Sequence, residues 1–498
     1  MSPSFGFPFM FTNGLPTIQT DELHVYEEGI NVLPQTMLLD YGDPKVVERL
    51  MKTAKAYEFI TGINDLGHRH IRSSFFSGTK IAQESVWALA KTHYSHLILH
   101  PGLVLVEYNG HPAAKKLLLE LADGLLAHGK KDGNGNYYLP GEILFPSGEE
   151  RGRGLGSASH LFWAAWRWTG DDKYLLPITG SYGILNSLNA NLLDLLDKRK
   201  TWGTEIVSRV TPRSGGDLYR HTAWQMTGNK QFLEEYYADQ IQYSSQRMYM
   251  YTEGHWWSDR VTIPSQELQR SRLGGVALAR SALYPGHVVS WKFKKPANSE
   301  SAAILIPDAT TKQMTIIAYN LETIPITGIM TAWDIEPGTW ELVQGIDTDG
   351  DDVPDRSMQK QKIELERTRE LELVFPPKAI TVVKLKLKSR GKPYWKRPDL
   401  GIGEDDVVVQ GGTVKVKVHS LGSFDAPSSK AALVDGNDAE LSSVSVPALK
   451  APLDYMPKTT EVKLTVPRNT RLNGCSVVID PEGKLNEITR RNNRVVLK

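Results

Sequence analysis

Over the first three-fifths of the chain, apolar residues recur at helical spacing and are interrupted by a glycine followed by a small polar residue or histidine. The phrases are LLDYGDPKVVERL, LVEYNGHPAAKKLLLEL, AWRWTGDDKYLLPI, AWQMTGNKQFLEEY and SALYPGHVVSW. Their glycines are Gly42, Gly110, Gly170, Gly228 and Gly286, separated by 68, 60, 58 and 58 residues. Each phrase reads as a helix, a glycine in the left-handed conformation that ends it, and a second helix. Asp43, Asp171 and Asn229 are placed to cap the second helix, and Pro44 and Pro112 to open its first turn. Hairpins of this kind bury their faces only against neighbouring hairpins. The period predicts an (α/α) toroid over residues 1–285 in preference to a straight solenoid. Five turns give five inner helices and only four outer ones, so the ring is either open or short of a part at its N-terminus; the second is the expectation.

From about Gly286 the apolar period shortens to two: HVVSWKF, SAAILIPD, QMTIIAYNL, TWELVQG, KIELERT, LELVF and AITVVKLKLK. Short alternating runs between turn residues predict an antiparallel β-sandwich over 286–390. The segment SRGKPYWKRPD reads as a basic linker. Residues 398–498 repeat the alternation and predict an immunoglobulin-like sandwich of about seven strands. The expected fold class is therefore α+β and multidomain, with a toroid followed by two sandwiches.

The connections opposite the glycine turns are long and polar, roughly at 61–80, 129–157, 200–217 and 252–266. They carry HRHIR, EERGRG, RVTPRSGGD and EGHWWSDR. Inner helices are expected to start just after them, so arginines, histidines and positively polarised helix N-termini would gather at one mouth. This local charge matters because the whole chain carries a formal net charge of only +1. No global field steers it to nucleic acid or to an anionic membrane. Cys475 is the sole cysteine, which excludes an internal disulfide and cysteine-built metal centres. No apolar run approaches the ~20 residues of a membrane helix. The N-terminal MSPSFGFPFMFTNGLP lacks the basic start and long apolar stretch of a secretory signal. The oligomeric state is not legible.

A cationic mouth suits an acidic sugar. β-Elimination at a uronate needs a group that neutralises the carboxylate, a base for the proton on the adjacent carbon, and an acid for the leaving oxygen. Arginine and histidine suit the first role, histidine and tyrosine the other two. The catalytic candidates are His68, His70, Arg72, Tyr219, His221, His255 and Arg260. The substrate-binding candidates are Arg151, Arg153, His160, Arg213, Arg220, Trp256 and Trp257, the tandem indoles offering flat faces to a sugar ring. Each of these has a plainer reading as a capped, solvated or packed side chain. Trp163, Trp166, Trp168 and Trp224, at helical spacing before the turns, read as core. Glycoside hydrolysis would need two flanking carboxylates, and the same loops offer Asp65, Glu142, Glu149, Glu150, Asp217, Glu253 and Asp259. A noncatalytic glycan-binding or adhesion protein is a third reading. No nucleotide-binding or serine-hydrolase motif is present.

Within the first sandwich, DTDGDDVPD places Asp347, Asp349, Asp351 and Asp355 at relative positions one, three, five and nine. This spacing fits a structural calcium loop, without the bidentate glutamate of an EF-hand; the alternative is an acidic solvated hairpin. No cofactor is expected for catalysis.

The run RGRGLGSASHLFWAAWRWTGDDKYLLPI is similar to the repeats of α/α-toroid carbohydrate enzymes. A toroid followed by a sandwich ending in FPPKAITVVKLKLK resembles the layout of many polysaccharide lyases. The tail, from RPDLGIGEDDVVVQGGTVKVKVHSLGS to NEITRRNNRVVLK, resembles a CARDB-type adhesion module. Together these make the chain resemble the bacterial rhamnose–glucuronate lyases, polysaccharide lyase family 27. The resemblance implies removal of terminal L-rhamnose linked α-1,4 to D-glucuronate on arabinogalactan side chains, leaving a 4,5-unsaturated uronate. It also implies a periplasmic or extracellular location. The absent signal and the short ring depart from a full-length member.

Overall fold

A computed structural model describes residues 10–12, 15–17, 20–21, 32–73, 75–76, 98–135, 137–153, 158–179, 211–213, 220, 223–224, 227–245 and 289–498. Tyr219, His221, His255, Trp256, Trp257, Arg260 and Gly286 lie outside these residues. The chain divides into two compact units, residues 1–184 together with 394–498, and residues 185–393. The protein is multidomain and α+β. Among the described residues, no helix is long and apolar enough to cross a membrane.

Among the described residues, the helices of the first unit lie in three hairpins. Helix α1 (Val32–Leu39) turns at Gly42 into α2 (Pro44–Ile60). Helix α3 (His100–Asn109) turns at Gly110 into α4 (Pro112–Leu126). Helix α5 (Ser159–Thr169) turns at Gly170 into a short 3-10 turn, Asp172–Leu175. All three glycines have φ between +68° and +88°, the left-handed region that side chains disfavour. Asp43 accepts a hydrogen bond from Val46 N, His111 from Ala114 N and Asp171 from Lys173 N, so each second segment starts with a side-chain cap. Helix α2 buries Val46, Val47, Leu50, Met51, Ala54, Tyr57 and Ile60, the three-and-four spacing of a single apolar face. The Tyr57 hydroxyl donates to Ile98 O at 2.7 Å and accepts from Gly102 N at 3.0 Å, which satisfies a buried polar group at the α2–α3 contact.

Residues 394–498 complete this unit. Two four-stranded antiparallel sheets, one built on Thr413–Ser420 and the other on Ser429–Val434, enclose a core of Val414, Val416, Val418, Leu433, Val477 and Ile479. This sandwich sits on the glycine-turn end of the hairpins. Asn492 Nδ2 donates to Gly42 O at 3.0 Å, and Asn109 Nδ2 to Leu421 O at 2.8 Å. The His111 ring stacks on Tyr455 with centroids 4.1 Å apart. The buried Tyr108 hydroxyl donates to buried Asp399. Burial, then the neighbouring Glu487 charge, pushes the Asp399 carboxyl well above the usual range. The segment expected to be a basic linker is instead packed: Tyr394, Arg397 and Asp399 are buried, and Trp395 covers Gly110. Arg397 donates to Glu487 O at 2.9 Å, so its charge is used inside the unit.

The second unit repeats the hairpin signature at Gly228, whose φ is +72°, before α6 (Lys230–Ser245). Asn229 accepts from Gln231 N at 3.0 Å, as its cap position predicts. Residues 289–390 form an antiparallel sandwich. A five-stranded sheet runs in the order Ala302–Thr310, Gln313–Asn320, Ile380–Arg390, Gly338–Asp347, Arg356–Leu365, and faces a three-stranded sheet of Val289–Phe293, Ile326–Ala332 and Glu370–Phe375. Alternate inward residues such as Met314, Ile316, Trp340, Leu342 and Phe375 form its core.

Candidate functional site

The connections at the other end of the first unit's hairpins fold into short β-hairpins. Strands β1 (Thr61–Ile63) and β2 (Arg69–Ile71) pair with Gly62 opposite His70. Asn64 Oδ1 accepts from Leu66 N and His68 N, and Gly67 takes φ +82°, which closes the turn. Strands β3 (Lys130–Lys131) and β4 (Tyr137–Tyr138) form a second hairpin, β5 (Glu142–Ile143) and β6 (Glu150–Arg151) a third. The third folds onto the first: Asp65 N donates to Pro146 O at 2.8 Å, and the Phe145 ring fills the space left by the missing side chain of Gly62.

His68, His70 and Arg72 are two residues apart on an extended segment, a spacing that sends them to one face. Arg69 and Ile71 take the other face. Arg69 Nε donates to Glu120 of α4 at 2.7 Å, and its Nη1 to Thr61 Oγ1 at 3.0 Å. The backbone of β2 lies directly on α4, where a Cβ at Gly124 would come within 2.4 Å of Arg69 O. That close approach brings His68 and His70 to His128, just beyond the end of α4. His128 Nε2 is 3.2 Å from His70 Nε2 and 3.4 Å from His68 Nδ1. His128 Nδ1 donates to Glu150 Oε1 at 2.8 Å, and Glu150 is also held by Lys130. Opposed by burial, the hydrogen bonds from Lys130 and His128 still keep the Glu150 carboxyl below its ordinary range. His70 and His128 are buried and His68 is half-buried. The three imidazole nitrogens lie within 4.8 Å of one another, a set that can hold a metal ion.

The arginines of this region differ in use. Arg72 is half-buried, with its guanidinium carbon 5.8 Å from the Phe145 ring centroid and Nη1 3.4 Å from Phe59 O. Arg151 is exposed and pairs with Glu149 at 3.1 Å. Arg153 is exposed and lies 4.0 Å over the Tyr138 ring. His160 is buried at the start of α5, its ring 4.9 Å from that of His100 and edge-on to it. Arg213 and Arg220 belong to the second unit. Arg213 is exposed and pairs with Glu235 at 3.0 Å; Arg220 is buried and pairs with Asp239 at 2.5 Å. Trp163 and Trp224 are buried, as a core reading requires, while Trp166 and Trp168 are half-buried.

His128 and Glu150 complete the cluster, and sequence reasoning did not select His128. A signal was present: α2 and α4 each follow a glycine turn and end at the opposite end, so the LLAHGKK that closes α4 belongs beside the HRHIR that follows α2.

In the second unit, Asp347, Asp349 and Asp355 bring one carboxylate oxygen each within 4.8 Å of the others. Asp351 turns its carboxylate to Val353 N at 2.8 Å instead. Asp347 accepts from Gly350 N and Asp352 N, and Asp355 from Thr348, so the acidic loop is cross-braced by its own backbone. A separate cleft of about 1120 Å³ lies at the glycine-turn end, between α2 and the C-terminal sandwich. Its charged lining is largely paired, Lys45 with Asp405 and Glu48 with His419, and it is remote in sequence and place from the histidines. The chemistry therefore favours the smaller histidine cluster over the larger hollow.

No protein-family model matches the chain, and no curated protein matches it. The solved structures it is similar to include a β-glucuronidase from Ruminococcus gnavus, with N1-substituted uronic isofagomine, at 9% identity and a TM-score of 0.12. The overlay covers 34% of this chain and 33% of that one, and the same enzyme with D-glucuronic acid gives the same figures. The chain thus spans about a third of the glucuronidase's length, and an overlay at that score decides neither fold nor activity.

Proposed function

We propose that the chain is a glycan-active lyase that cleaves a uronate-containing polysaccharide by β-elimination. The observation that carries this reading is the convergence of His68, His70 and His128 at the loop end of the helical hairpins, with Arg72 two residues along the chain from His70. A uronate carboxylate needs a concentrated cationic or electrophilic partner before its neighbouring C–H will ionise, and this cluster with Arg72 supplies one. His70 and His128 are buried against each other, which suits a fixed binding role rather than shuttling protons to a sugar. The C5 proton leaves to a base, its electron pair forms the C4–C5 double bond, and the C4–O bond breaks with protonation of the departing oxygen.

The finer reading follows the sequence resemblance: exo-removal of L-rhamnose from α-1,4-linked D-glucuronate on arabinogalactan, by a periplasmic or extracellular enzyme. The hairpins would be part of an α/α toroid, the last sandwich an immunoglobulin-like module, and the Asp347 loop a structural calcium site. A hydrolase is less well supplied, because Glu150 is engaged by His128 and Lys130, and Glu149 by Arg151.

The test is incubation with rhamnose-capped glucuronoarabinogalactan, following the ultraviolet absorbance of the unsaturated uronate. Absorbance should appear with free rhamnose, and His70→Ala should reduce the rate about 100-fold or more. Cleavage without the double bond would establish hydrolysis instead. Binding without cleavage would establish an adhesion protein.

A further inference from the structure

The contacts of His128 are not those of an ordinary hydrogen-bonded histidine. Its Nδ1 stands 2.8 Å from Glu150 Oε1. An ionised carboxylate only accepts, so in the neutral ring Nδ1 carries the hydrogen and Nε2 presents a lone pair. That single lone pair accepts one good hydrogen bond. Two imidazole nitrogens crowd it, His70 Nε2 at 3.2 Å and His68 Nδ1 at 3.4 Å. Nitrogens at the corners of a tetrahedron around a metal ion, each ~2.05 Å from it, stand about 3.3 Å apart. Both observed separations have the length of such an edge.

We propose that His68, His70 and His128 form a binding site for a divalent transition-metal ion of the zinc class. Glu150 is the positioning residue: its carboxylate fixes the tautomer and orientation of His128, as carboxylates behind metal-bound imidazoles do. Lys130 holds Glu150 from its other side. The surroundings are consistent with a cation. Helix α4 ends just before His128, so the negative end of its dipole lies at the cluster. Three imidazoles with no carboxylate or carbonyl in the set favour zinc, copper or nickel over magnesium or calcium. Among the described residues the set has three protein ligands, which leaves the fourth tetrahedral position for water or substrate, the arrangement of catalytic rather than structural zinc. The meeting of His70 on β2, and of His68 just before it, with a histidine 58 residues after His70 depends on Gly124, since only a glycine lets β2 lie so close to α4.

On the lyase reading, which this extension borrows, the open position takes the uronate carboxylate, and the ion provides the charge that makes the C5 proton removable. The site itself stands without that reading.

The experiment uses the full chain, stripped with a chelator and dialysed. Zinc is titrated calorimetrically, and cobalt(II) is added in parallel for its visible ligand-field bands. One equivalent should bind, and cobalt should show the intense bands of a four- or five-coordinate nitrogen site. His128→Ala and His70→Ala should each weaken zinc binding about 100-fold or more, and Glu150→Gln by about 10- to 100-fold. If a histidine variant does not fold, the cobalt spectrum of the unaltered chain and the Glu150→Gln titration still decide the matter. Absence of zinc binding, or stoichiometric binding unchanged in Glu150→Gln and in a folded His128→Ala protein, would overturn the site. Zinc binding without formation of a C4–C5 double bond would keep the site and remove the lyase. Lyase activity in metal-free protein that takes up no zinc would keep the lyase and remove the site.

Discussion

Raising the pH should loosen the joint between α2 and the C-terminal sandwich, because one buried histidine there is held between two carboxylates. His419 Nδ1 is 2.5 Å from Glu48 Oε1 and its Nε2 is 3.0 Å from Asp406 Oδ1. Two acceptors on the two ring nitrogens require both hydrogens, so the ring is an imidazolium. Burial acts to lower its pKa, but the hydrogen bonds to Asp406 and Glu48 outweigh it and raise the value to about 9. Asp406 answers in the other direction: against the effect of burial, its bonds with His419 and Gly403 hold it below the usual carboxylate range. A histidine with a folded value above its unfolded 6.5 stabilises fully below pH 6.5 and loses that contribution as pH rises through 9. The gap corresponds to roughly 3 kcal/mol at about 1.4 kcal/mol per pH unit, a ceiling, since Glu48 and Asp406 keep some access to solvent. The assay is urea unfolding of the full chain at pH 6 and pH 10, beside His419→Gln. The unaltered protein should lose about 2–3 kcal/mol more than the variant across that interval. Parallel pH dependences for the two proteins would refute the reasoning.

Gly110→Ala should destabilise by about 2–4 kcal/mol, since its φ is +68° and a Cβ would lie 2.2 Å from Trp395 Cβ. Gly170→Ala, at φ +72° with open space around it, should cost only about 1 kcal/mol, and thermal melts of the pair separate backbone strain from collision. Gly124→Ala should push β2 off α4 and weaken zinc binding at least about 10-fold in the calorimeter, with the C-terminal sandwich still folded by near-ultraviolet circular dichroism. Tyr57→Phe should cost about 2–3 kcal/mol in urea unfolding, because both Ile98 O and Gly102 N lose their partner in a dry contact.

Local chemistry was the legible part of the fold. Gly42, Gly110, Gly170 and Gly228 all adopt positive φ, because a helix that stops and reverses within a few residues needs a residue without a side-chain penalty there. The strands of both sandwiches follow the alternation in the sequence. One of them, Ile326–Ala332, escaped because its alternation is broken at Gly328, where the Trp291 and Phe375 rings occupy the place of a side chain. What joins distant segments was not legible. Asn492 to Gly42 is a pairing across 450 residues, and no period announces it. The same holds for the site. His68 and His70 stood out because they are adjacent in a charged loop, whereas His128 acquires its place only when Gly124 admits the backbone of β2. Arg213 and Arg220 attracted notice for the same positive charge, but each is bound to an acid of α6 within its own unit.

The seating of the last sandwich on the glycine turns has a bearing on biosynthesis. The hairpins of residues 1–184 leave the ribosome before the surface that covers Gly42, Tyr108 and Gly110, which is translated only after the whole second unit. Until then those turn ends are bare, and contacts of such long sequence separation form slowly. A nascent chain stalled or cut before Tyr394 would expose an unfinished face, so termination there should yield aggregation-prone protein.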